Sequence, residues 1–168
     1  MIILGLDPGL ASCGYGVIRY TGSQFKLIDF GVIKTKAKED EPRRLKQIYS
    51  ALTALFQNHP ISQVGIEKLF FNTNTKTAMS VAQARGICLL VSELHNCPTF
   101  SYTPPQIKSG VCGYGSADKQ QVQFMVKTLL NMKHTPKPDD AADALAVAIN
   151  HAHASKLSTL ATKLNAYT

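Results

Sequence analysis

The chain has 168 residues, 45% of them hydrophobic and 17% charged, which suits a single folded domain and excludes intrinsic disorder. A domain of this size buries roughly two-thirds of the surface its unfolded form exposes, and no apolar run reaches the roughly 18 residues that span a bilayer. The formal charge is +7 and the pI about 9.3, which favours a polyanionic partner through counterion release without requiring one.

The opening MIILGLDPG has no basic n-region and carries Asp7 where a signal peptide would be apolar, so no export signal is read and the cytoplasm is the expected location. Cys13, Cys88, Cys97 and Cys112 form no C-x-x-C pair and complete no zinc spacing with the histidines, so reduced thiols are expected. No repeat, low-complexity tract or linker divides the chain. The reading is one domain over residues 1–155 and a mildly amphipathic tail over 156–168.

Residues 2–7, 14–20 and 26–33 read as three strands joined by short glycine-containing turns, an antiparallel meander. The pattern then changes to helical spacing. Leu45, Ile48, Leu52, Leu55 and Phe56 recur on one face of EPRRLKQIYSALTALFQ, with basic residues near its start. SQVGIE follows as a fourth strand ending at Glu67, then a long helix from about Thr75 to His95, and a short strand near Thr99 to Tyr102. Two or three further helices lie between proline- and glycine-rich loops. Three hairpin-linked strands followed by two reached through helices predict an α/β fold, a five-stranded mixed sheet flanked by helices. If the fourth strand lies beside the first, Asp7 and Glu67 end side by side.

KPDDAADALAVAINHAHA reads as a helix opening at Pro138 and Asp139, its alanines giving both helix propensity and room for close approach to a sheet. Asp140 and Asp143 share one face of its first turns. Each acid also has a plain structural reading: a first-turn acid complements the helix macrodipole, as Asp139 is expected to do, and an Asp-Pro-Gly turn after a strand is common. The conjunction is more informative than any member. Four carboxylates brought together repel one another unless a cation fills the space between them. Hard oxygen ligands without imidazole or thiolate select magnesium, with manganese as a substitute. Two such ions about 4 Å apart would activate water and stabilise the leaving oxygen in phosphodiester hydrolysis. Setting four of the eleven acids aside leaves 18 basic residues against seven acidic ones, a negative pocket on a positive surface.

LGLDPGLASCGYGVI, IEKLFFNTNTKTAMSVAQARG, YTPPQIKSGVCGYGSADKQQVQFMV and DDAADALAVAINHAH together resemble the RuvC family of Holliday-junction resolvases, from Met1 to about Ser155. The resemblance implies a ribonuclease-H-like fold, a homodimer, and magnesium-dependent paired nicking of four-way DNA junctions in homologous recombination and DNA repair, with the RuvA and RuvB branch-migration proteins as further partners. It places the catalytic, metal-binding acids on Asp7, Glu67, Asp140 and Asp143. Asp139 stands where the family pattern does not demand an acid. By the same resemblance Phe70 wedges against bases at the opened crossover, and Lys108 and Lys119 hold phosphates near the cleaved strand. Lys76 and Arg85 complete the candidate DNA contacts. For these positions packed phenylalanines and solvated cations are the alternative.

Between Ala78 and Leu94, apolar residues surround much of the long helix, more than one core face needs. The surplus fits a dimer helix, and burial within one chain is the alternative. Three other functions compete on sequence, each with an argument against it. An ATP-binding protein of the actin and sugar-kinase type normally needs two such domains. A junction-binding scaffold without catalysis would be expected to lack one or more of the four site acids. A ribonuclease-H-like nuclease acting on RNA is disfavoured by the resemblance carried in FFNTN and GYGSADK.

Overall fold

The structure is a computed structural model that describes residues 1–68 and 75–165, without the side chains of 75–77 and 157–165. Five strands form one sheet: β1 (Ile2–Asp7), β2 (Ser12–Tyr20), β3 (Phe25–Lys34), β4 (Gln63–Glu67) and β5 (Thr99–Tyr102), in the order β3-β2-β1-β4-β5. The first three are an antiparallel meander, while β4 and β5 join parallel to β1. This is the mixed sheet expected from the sequence. The helices α1 (Glu41–Asn58) and α2 (Thr75–Leu94) provide the crossovers, and α3 (Pro104–Cys112), α4 (Lys119–Leu129) and α5 (Asp139–Asn165) follow.

Strand periodicity explains how the layers divide. On β1, Leu4 and Leu6 enter one core with Val17, Ile48, Leu52, Val64, Ile66 and Cys88, beneath α1 and α2. Ile3 enters a second core with Ile18, Ile107, Val126, Leu145 and Ile149, beneath α3, α4 and α5. Each buried Leu or Ile contributes about 1.5–3 kcal/mol of transfer free energy, so these two interleaved sets hold both helical layers to the sheet.

The α5 helix is the central element of the second layer. Ala141, Ala142, Ala144 and every residue from Leu145 to Ile149 are buried. Small side chains bring its backbone against the sheet, and glycines receive it there: a Cβ on Gly5 would lie 2.1 Å from the Ala144 carbonyl oxygen, and one on Gly14 2.0 Å from that of Asp140. His151 of the same helix is buried, bonded through its ring nitrogens to the Tyr102 hydroxyl at 2.6 Å and Gln63 Oε1 at 2.9 Å. Burial lowers its pKa to about 4. The helix also runs past Ser155 to Asn165, into the segment that reads as a tail in the sequence.

Two other expectations are met. Cys13, Cys88 and Cys97 are buried thiols and Cys112 a half-buried one, with no disulfide among the described residues. Within those residues no helix is long and apolar enough to cross a membrane. The surplus apolar residues of α2 are not absorbed by the single chain: Met79, Leu90 and Leu94 stay 74%, 49% and 58% exposed, against the alternative of burial within one chain.

Candidate active site

The same alternation that places Ile3 and Gly5 toward α5 continues to Asp7, at the C-terminal end of β1. On β4, Gly65 faces Val147 and His151 of α5, so Glu67, two residues on, points the same way. Because β1 and β4 pair parallel with Leu6 opposite Ile66, both carboxylates emerge at one end of the sheet. The first turns of α5 bring Asp140 and Asp143 to that end.

The electrostatics record how closely the four acids meet. Asp7 is pushed up to about 8, first by burial and then by the charges of Glu67, Asp143 and Asp140, and it shares a hydrogen bond with Glu67. Burial, with Asp143 adding to it, raises Glu67 as well. Asp143 is also raised, because its burial outweighs the opposing pull of Lys119. A proton shared by Asp7 and Glu67 relieves part of this repulsion, and a divalent cation would relieve more. The donor set suits such an ion, since it consists of carboxylate oxygens without thiolate or imidazole. Among the described residues no group of three or more His, Cys, Asp or Glu side chains is drawn together as a finished coordination shell. The four acids interact without closing on one point, and two of them, Glu67 and Asp143, line a common cleft.

The basic candidates separate by position. Glu67, Asp143, Lys108 and Lys119 line one cavity of about 200 Å³ with Pro104, Ile107, Val122 and Ala146. Both lysines are placed by helix starts. Lys108 lies in α3, whose first turn carries a capping box between Thr103 and Gln106. Lys119 opens α4, capped in the same manner by Asp118 and Gln121. The Lys119 ammonium stands 2.9 Å from Asp139 Oδ2 and 3.6 Å from Asp143 Oδ2. Arg85 donates from Nε to the Glu67 carbonyl oxygen at 3.3 Å and from Nη2 to Ser101 Oγ at 2.8 Å, which ties α2 to the ends of β4 and β5. Phe70 and the side chain of Lys76 lie outside the described residues.

Two contributors escape a reading of the sequence. Ser12 donates a hydrogen bond to Asp140 Oδ2 at 2.5 Å. The strand β2 starts at Ser12, two residues earlier than its sequence pattern suggests, so Ser12 shares a face with Gly14, opposite Asp7 in the hairpin. That register was the available signal. Asp139 is the second, since it engages Lys119 and accepts a hydrogen bond from Gln123 Nε2 at 3.0 Å.

Known proteins share this arrangement of elements. The sequence matches the family of crossover junction endodeoxyribonuclease RuvC over residues 3–151. The chain belongs to the RuvC family. The RuvC of Alkaliphilus metalliredigens is 53% identical over 160 residues, covering 95% of this chain and 98% of that protein. That of Clostridioides difficile is 54% identical over 157 residues, covering 94% and 93%. Among solved structures, Thermus thermophilus RuvC in complex with a Holliday junction substrate superposes with a TM-score of 0.90 at 31% identity, covering 95% of this chain and 97% of that one. Membership of the RuvC family makes this chain a crossover junction endodeoxyribonuclease with a ribonuclease-H-like fold. It also displaces the nucleotide-binding alternative.

Proposed function

We propose that the chain resolves Holliday junctions by paired symmetric nicks, through magnesium-dependent hydrolysis of phosphodiester bonds by water, in homologous recombination and DNA repair. The observation that carries this reading is a cleft lined by Glu67, Asp143, Lys108 and Lys119, with Asp7 hydrogen-bonded to Glu67 and close enough to Asp143 and Asp140 to feel their charges. Acids and cations in one cleft suit a phosphodiester held by its oxygens. The Thermus relative in complex with a Holliday junction supports four-way DNA as the substrate.

Asp7, Glu67, Asp140 and Asp143 would hold the ion. Bound there, magnesium would supply a positive charge that acidifies water and stabilises the leaving oxygen. Ser12 fixes the orientation of Asp140, and Arg85 fixes the end of β4 that presents Glu67. Lys108 and Lys119 hold phosphate oxygens of the cleaved strand, with Lys76 as a further phosphate contact, while Phe70 wedges against bases at the crossover. The cytoplasm is the location consistent with action on bacterial DNA, and RuvA and RuvB are the expected partners there.

Paired nicks require two sites in one particle. Met79, Ala82, Gly86, Leu90 and Leu94 recur at helical spacing on the exposed side of α2, and a Cβ placed on Gly86 would meet nothing within 4 Å beyond its chain neighbours and the backbone of its own helix. Such a stripe, with small residues at its middle, suits close packing against its own copy across a two-fold axis.

The test is strand-resolved cleavage of a synthetic four-way junction beside linear duplex and an RNA hybrid, with magnesium or with chelator. Symmetric, magnesium-dependent nicks at the junction alone are expected, and Asp7→Asn should abolish them while junction binding persists. Binding without cleavage would favour the scaffold reading, and cleavage confined to RNA would overturn the substrate.

A further inference from the structure

Asp139 is the acid that the family pattern does not require, and the helix macrodipole alone does not account for its side chain. A carboxylate that served only the dipole would be free to point into solvent. Here both oxygens are engaged by α4: Gln123 Nε2 donates to Oδ1 at 3.0 Å, and the Lys119 ammonium stands 2.9 Å from Oδ2. The same ammonium is 3.6 Å from Asp143 Oδ2, at the rim of the cavity that Lys108 and Glu67 also line. Lys119 is thus shared unequally between two carboxylates, with the nearer one outside the acid cluster.

We propose that Asp139 is a positioning residue that holds the Lys119 ammonium off Asp143, leaving that carboxylate open to a divalent cation and the lysine poised above it for a phosphate. The inference rests on the reading of Asp143 as a metal ligand. An ammonium seated on Asp143 would occupy an oxygen lone pair and repel an incoming cation, so lysine and metal compete for the same group. Asp139 gives the lysine a better-placed partner a short distance away, and Gln123 keeps that partner from turning outward. Without Asp139, Asp143 is the carboxylate left within reach of Lys119. Since Lys119 and Asp139 are both about half exposed, the pair is worth little as stabilisation, and its consequence lies in where the ammonium rests.

A double-mutant cycle read by manganese binding tests this without reference to cleavage. Mn²⁺ is titrated into the full chain without DNA, and the free ion is followed by electron paramagnetic resonance, for the wild type, Asp139→Asn, Lys119→Gln and the double variant. Asp139→Asn should weaken binding about threefold, the size expected for release of one exposed ion pair. In the Lys119→Gln background the same change should have little effect, because the competitor is gone. Equal weakening in both backgrounds would mean that Asp139 acts only as a nearby charge, and no weakening in either would mean that Lys119 does not compete; each outcome overturns the proposal. Asp7→Asn is the control for the site itself. Manganese binding that this variant leaves undiminished would overturn the metal-site reading and the inference with it, a signature distinct from the other two.

Discussion

Ser12 shows what one hydroxyl contributes to this cleft. Asp140 lies in the first turn of α5, where its carboxylate would be free to rotate, and the Ser12 hydroxyl holds one oxygen at 2.5 Å. Hydrogen bonds to a charged group are worth about 1.5–3 kcal/mol, much of which is orientation when the acceptor is also a ligand. Ser12→Ala should therefore lower single-turnover cleavage of a four-way junction by about tenfold while junction affinity in chelator stays unchanged. Loss of affinity with the cleavage rate intact would show that the hydroxyl contacts DNA and has no part in holding Asp140. The sequence disclosed the acids more readily than their supports for a physical reason. A carboxylate at a strand end conflicts with its surroundings and invites an explanation, whereas a serine in a turn, or an aspartate at a helix start, satisfies local rules and invites none.

At the scale of elements, the docking of α5 on the sheet sets the spacing between Asp7 and the helical acids. Gly14 sits opposite Asp7 in the hairpin and directly beneath the Asp140 carbonyl, where an added Cβ would meet that oxygen at 2.0 Å. No rotamer change relieves a clash with backbone, so Gly14→Ala must move the helix or the strand, at a cost of about 3 kcal/mol. Urea denaturation should show a lowered midpoint with an unchanged slope, and a midpoint equal to wild type would mean that α5 docks less tightly than its alanines suggest. This architecture was legible because local and long-range signals agree in it. The meander was set by short turns, the crossovers by helical periodicity, and the adjacency of β1 and β4 by the simplest path between them. The start of β2 and the full length of α5 were less so, since alternation weakens near a turn and the tail residues carry only a faint amphipathic pattern.

For the whole molecule the decisive feature is the apolar surface that α2 presents. A helix packed on α1 on one side, with Met79, Leu90 and Leu94 exposed on another, places apolar area in water unless a second copy covers it. Small residues at positions 82 and 86 allow two such helices to approach closely, and a two-fold axis through that contact would set two acid clefts in one particle. Leu90 is the residue to change, because it is half exposed in the single chain and lies outside the cleft. Leu90→Asp leaves the monomer folded and places like charges opposite each other if the copies meet there. Its dimer dissociation constant should rise at least about tenfold, read by sedimentation equilibrium. In a plasmid-borne junction assay at concentrations where the variant is monomeric, the two nicks should fall out of step, singly nicked circles accumulating before linear product. A variant that stays dimeric and nicks both strands together would move the two-fold axis off α2, leaving the exposed stripe to another partner.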